Sequence, residues 1–122
     1  MNTEINLIPI NADRNDYLIT INDPENTEYN TVAVDISTAH ITANDGKLLR
    51  EQNFKRIYPA APEGWSHLFR PTKSEKELEK IRQHGFSEYF INIVKLAETQ
   101  EYPYIRFYAD AEIIKDLPQF TW

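Results

Sequence analysis

Hydrophobic and polar positions along this chain change period several times, and each change marks an element. Asn6 to Ile10 is a short apolar piece, broken by Pro9 and closed by the polar cluster from Asn11 to Asp16. Tyr17 to Ile21 and Thr31 to Ile36 are rich in β-branched and aromatic residues, which suit a pleated surface, and they predict two strands. The Asn, Asp and Pro between Asn22 and Asn26 favour a tight turn, so these strands are expected to pair as a hairpin. Thr42 then reads as a helix N-cap with Asp45 as its capping-box partner. That helix turns Leu48 and Leu49 inward and ends near Asn53.

Pro59 and Pro62 exclude an uninterrupted central strand between Arg56 and Leu68, because proline cannot donate to a ladder. Trp65 to Phe69 forms a strand after them. Ser74 and Glu77 make a capping box for a helix from Glu75 to His84 that has only Leu78 and Ile81 to bury and stops at Gly85. Ser87 caps a further helix, with Phe86 stapled onto Ile91 and with Phe90, Ile93, Val94 and Ala97 along one face. Tyr102-Pro103 ends it, and Tyr104 to Tyr108 is the clearest strand. This order predicts an α+β fold, a mostly antiparallel sheet with two or three helices packed on one face. Val32, Val34, Phe90, Ile93, Val94, Ile105 and Phe107 are expected to be buried together. No repeat or linker divides the chain, which reads as a single domain over 1–122, with an acidic N-terminal hairpin (1–36) and an α/β core (37–122).

Composition sharpens the picture. The 122 residues include no cysteine, which excludes disulfides, thiolate nucleophiles and cysteine–zinc sites and fits a reducing compartment. No basic, apolar leader and no stretch of membrane-spanning length is present, so a cytoplasmic protein without membrane association is expected. The net charge of −6 is unevenly placed. Residues 1–36 hold seven carboxylates against Arg14 alone, and the rest of the chain is balanced. Direct nucleic-acid binding is disfavoured, because it needs clustered Lys and Arg. A solvated, solubilising surface is the simpler reading of the acidic segment. The sharper one is a face built from Asp13, Asp16, Asp23, Glu25 and Glu28 that meets a basic surface on a protein partner.

Candidate chemistry is sparse. Ser37-Thr38-Ala39-His40-Ile41-Thr42 lies where a strand hands over to a helix, a common place for binding in α/β folds. A triad would need Ser37 and His40 joined by an acid, but no Gly-flanked elbow surrounds Ser37. Hydroxyls that cap the next helix, and a histidine bonded to backbone or to a neighbouring acid, explain the same residues. His40, His67 and His84 lie on three elements without metal-ligand spacing, and no glycine-rich phosphate loop exists; no metal or cofactor is expected. Asp110 and Glu112, just past the last strand, are weak acid–base candidates that also suit a turn. In the ending Leu117-Pro118-Gln119-Phe120-Thr121-Trp122, the apolar side chains either fold back over one side of the sheet or anchor a partner.

The Ser37-to-Thr42 segment, Glu63-Gly64-Trp65, the helix running into Tyr104 to Phe107, Asp110 and the Leu117-to-Trp122 ending together resemble an uncharacterised family of small proteins encoded on bacterial plasmids, phages and integrated elements. The resemblance spans roughly 31–122 and leaves the acidic hairpin outside. Tyr108 stands where that family has an acid and Ala111 where it has a glycine, so any chemistry resting on the acid is missing here. The resemblance implies accessory or anti-defence roles rather than a reaction.

Two classes of function follow. The first is a stoichiometric inhibitor of anti-CRISPR or antirestriction type, or the related case of an immunity protein against a toxin, with the acidic residues, Trp65 and Trp122 at the partner surface. The second is a small enzyme or ligand-binding domain using His40 with Asp35 or Asp110. The absence of a convincing catalytic set favours binding.

Overall fold

The computed structural model of the chain describes residues 4–11, 16–22, 29–59 and 66–122, with the backbone alone for 4–11, 16–22, 29, 30 and 59. Among the described residues, β1 (Glu4–Asn11), β2 (Asp16–Asn22), β3 (Tyr29–Ile36), β4 (Ile57–Pro59), β5 (Ser66–Phe69) and β6 (Tyr104–Tyr108) form one six-stranded sheet in the order β1-β2-β3-β6-β5-β4. A single-turn 3-10 helix (Thr38–His40) and α1 (Ala43–Glu51) follow β3, and α2 (Glu75–His84) and α3 (Glu88–Thr99) precede β6. The fold is α+β. Every strand pairing is antiparallel except β3 with β6, which run parallel and sit at the centre.

The expected hairpin is the β2–β3 part of a three-stranded meander. Asn6 to Ile10 belongs to β1, where Pro9 pairs with Tyr17 and the register shifts before Asn11. β1 is the edge strand, and an edge tolerates the donor that proline lacks. The same logic places Pro59 at the end of β4, three residues long on the opposite edge.

All three helices open on a hydroxyl cap, but only the first completes a capping box. Thr42 Oγ1 accepts from Asp45 N, and Asp45 Oδ2 accepts from Thr42 N, each at 3.1 Å, a complete capping box. Ser74 Oγ accepts from Glu77 N, but the Glu77 carboxylate does not return the bond; it pairs with Lys80 at 3.5 Å and Arg56 at 3.7 Å instead. Ser87 Oγ accepts from Phe90 N, and Gly85 at φ 119° ends α2 in the left-handed region that glycine enters without strain.

The core lies between the helices and one face of the sheet. Val34, Ile36, Ile105, Phe107 and Phe69 meet Leu49, Leu78, Ile81, Phe90, Ile93, Val94 and Ala97. Val32 packs against this cluster but is only partly buried, unlike the other six residues expected in the core. Phe86 stacks on Phe90 at 4.2 Å between ring centroids, so the N-terminal apolar contact of α3 is an aromatic pair. Strand residues alternate between faces. Ala33, Asp35, Tyr104 and Arg106 therefore point away from the helices, and they too are buried.

Candidate functional site

β3 ends at Ile36, and Ser37 opens the 3-10 turn by accepting from Ala39 N at 3.1 Å. The Ser37 hydroxyl is thus a cap, buried against its own turn. His40, at the end of that turn, is 1% exposed. Ile114 N–H donates to His40 Nε2 at 2.9 Å, which makes Nε2 the acceptor and places the ring proton on Nδ1. Nδ1–H then donates to Pro118 O at 2.8 Å. Both nitrogens hold backbone more than seventy residues downstream, and neither faces a carboxylate.

The residues suggested as partners for His40 lie elsewhere. Asp35 accepts twice from Arg106, from Nε at 2.6 Å and from Nη2 at 2.7 Å, in a buried pair across the parallel β3–β6 register. The Arg106 guanidinium also lies 4.4 Å from the centroid of the Tyr108 ring. Asp110 is exposed and accepts from Tyr108 Oη at 3.3 Å. His40, Asp35, Asp110 and Ser37 therefore form no common constellation. Among the described residues no three His, Asp or Glu side chains converge as a metal would require, and no helix is long and apolar enough to cross a membrane.

What His40 does is hold the chain's ending. Phe120 N donates to Ala39 O at 2.7 Å, and the Phe120 ring packs edge-on against Tyr89 of α3 at 4.8 Å. Trp122 Nε1 donates to Ile41 O at 3.1 Å while 53% of the residue stays exposed. The ending folds back, as its apolar side chains require, but along α1, α3 and the 3-10 turn rather than over the sheet; Leu117 alone reaches the core. Gly46 makes this possible. A Cβ there would overlap Trp122 Cη2 and lie 2.8 Å from Cζ3. Gly46→Ala is therefore expected to fold, because alanine favours the helix by up to about 1 kcal/mol, yet to expel the indole. The measurement is hydrogen exchange of the Trp122 indole N–H, which should become fast in Gly46→Ala; protection equal to the native chain would contradict the contact.

Two interactions carried no sequence signal beyond residue type. Asp45, 0% exposed, accepts from Ser87 N at 2.8 Å and from Ser87 Oγ at 2.5 Å, so one carboxylate serves the first turns of both α1 and α3. His67 on β5 lines a small pocket with Arg50 and Trp122. Burial, and next the nearby Arg50 guanidinium, hold the His67 ring below the usual histidine range. Asp16 opens β2, opposite Asn11 and Val34. Asp13, Asp23, Glu25, Glu28 and Trp65 lie outside the described residues.

No curated protein and no solved structure matches the chain. One family does, over residues 33–122, the whole of the chain from the middle of β3 onward. That stretch contains His40, the backbone it grips and the Asp35–Arg106 pair, and it leaves β1 and β2 outside. The chain belongs to the family described as the C-terminal domain of a family of unknown function, DUF5983.

Proposed function

We propose that this chain acts by binding, as a small acidic stoichiometric inhibitor whose N-terminal segment meets a basic surface on a protein partner. The observation that carries the reading is the location of the charge. The formal net charge of −6 resides in residues 1–36, the stretch that contains β1, β2 and β3 at one end of the sheet; Asp35 is buried against Arg106, and the other six carboxylates are the ones a partner would meet. An acidic segment attracts a basic groove on a partner. The candidates for chemistry support the same reading, since Ser37, His40 and Asp35 are each committed to structural bonds. The resemblance to proteins of plasmids, phages and integrated elements suggests an anti-defence setting of anti-CRISPR or antirestriction type. The partner's basic surface would then be the groove in which a host defence complex holds nucleic acid.

The test is capture from a lysate of the source organism, followed by native mass spectrometry, with the native chain and with a variant carrying Asp13, Asp16 and Asp23 as Asn and Glu25 and Glu28 as Gln. A complex of fixed stoichiometry with the native chain, lost or strongly depleted with the neutralised one, is expected. Equal recovery with both chains would remove the acidic segment from the binding surface.

A further inference from the structure

The pocket beside Trp122 is lined by Thr38, Gly46, Leu49, Arg50, His67, Phe107, Ala109 and Trp122 and has a volume of about 160 Å³. Its position is set by the topology. β3 and β6 are parallel neighbours, and Thr38 and Ala109 follow their C-terminal ends. Sheets with parallel strands bind ligands outside those ends. Gly46, Leu49 and Arg50 share one face of α1 because they are three and four residues apart. His67 comes from β5, where it is paired with Phe107 of β6.

The lining chemistry runs against the rest of the molecule. In a chain of net charge −6 the pocket lining includes two basic side chains and no acidic one. Neither the Arg50 guanidinium nor the His67 ring has a hydrogen bond or ion pair with any described residue. The two basic groups act on each other unfavourably, and an anion between them would reverse that effect. The volume matches roughly five waters of liquid. It takes an oxyanion head but not a whole nucleotide, for which pockets of about 300 Å³ or more are usual.

We propose that this pocket binds a phosphate group, with Arg50 and His67 as its cations, the Thr38 hydroxyl as a further donor and the exposed Trp122 ring as a wall for whatever is attached. A guanidinium presents paired donors to phosphate oxygens, and a protonated imidazole adds a third. Binding therefore takes up a proton at His67. The residues lining the pocket with that ring include Arg50 from α1, Thr38 from the 3-10 turn, Phe107 from β6 and Trp122 from the ending, and none of them has an acidic side chain to compete for the proton. The site is independent of the proposed binding by the acidic N-terminal segment.

The experiment is a ¹H–¹⁵N NMR titration of the full chain. Sulfate is the first probe, because its charge is constant across the pH range used, with chloride at matched ionic strength as the baseline. Saturable shifts at Thr38, Arg50, His67 and the Trp122 indole are expected, with affinity at about pH 5.5 roughly tenfold or more above that at about pH 8. Arg50→Gln, at an exposed side chain, should weaken sulfate binding roughly tenfold, and His67→Gln should abolish the pH dependence while the remaining amide spectrum stays native. Inorganic phosphate and a nucleoside 5′-monophosphate separate two sources of the group. Equal affinities mean the phosphate alone is read; tighter monoester binding that Trp122→Leu removes means the attached ring stacks. Shifts that do not saturate, that persist in both variants, or that acetate reproduces with equal affinity would overturn the assignment.

Discussion

Arg106→Met is expected to destabilise the protein by roughly 3–5 kcal/mol, because it leaves the Asp35 carboxylate buried without its cation. Asp35 is 2% and Arg106 7% exposed, and two short bonds join them. Desolvating both charges is costly, and their mutual attraction offsets that cost only while both are present. The double variant Asp35→Leu/Arg106→Met should therefore lose much less than the sum of the singles. Urea denaturation of the four chains supplies the comparison. Additive losses would mean the pair is not coupled and that the two strands are held together by their ladder and apolar contacts alone.

Phe90→Ala should cost a similar amount, about 3–5 kcal/mol. Phe90 is 0% exposed and touches three rings: Phe69 at 4.9 Å and Phe107 at 5.1 Å on the sheet, and Phe86 at 4.2 Å at the start of α3. Removing it opens a cavity that three rigid aromatic neighbours cannot close. The midpoint of urea unfolding should fall at an unchanged slope. A loss under about 1 kcal/mol would mean the rings repack and that α3 is seated by its aliphatic stripe alone.

The features legible in the sequence are those decided within a few residues. Thr42, Ser74 and Ser87 cap three helices because a cap needs only a hydroxyl and an amide three positions on. The stripe of α3 and the strands β2, β3, β5 and β6 follow from period. β1 escaped because Pro9 reads as a terminator, whereas an edge strand accommodates it. The bonds that join distant parts left only compositional traces. Asp35 is the lone charge in an apolar strand, and Arg106 is its counterpart in another. Their pairing depends on a parallel contact between strands that six other elements separate in the chain. Asp45 was visible as the N3 partner of Thr42, but its grip on Ser87 needed the packing of α1 on α3. His40 stood out by its place after β3. Its partners are backbone groups of Ile114 and Pro118, which no side-chain pattern marks. Arg50 and His67 belong to separate elements, and only the fold brings them to one pocket.

The central claim is that the acidic N-terminal segment drives association with a basic partner surface. The direct measurement is the association rate of the captured partner with the native chain and with the chain neutralised at Asp13, Asp16, Asp23, Glu25 and Glu28, at low and at high salt. Attraction between exposed charges fades beyond a Debye length of about 8 Å at physiological ionic strength, and such charges add little to folding stability. The native chain should therefore associate roughly tenfold or more faster than the neutralised one at low salt, and the two rates should converge at high salt. Equal rates with the same salt dependence would contradict the account and leave the acidic segment as a solubilising surface.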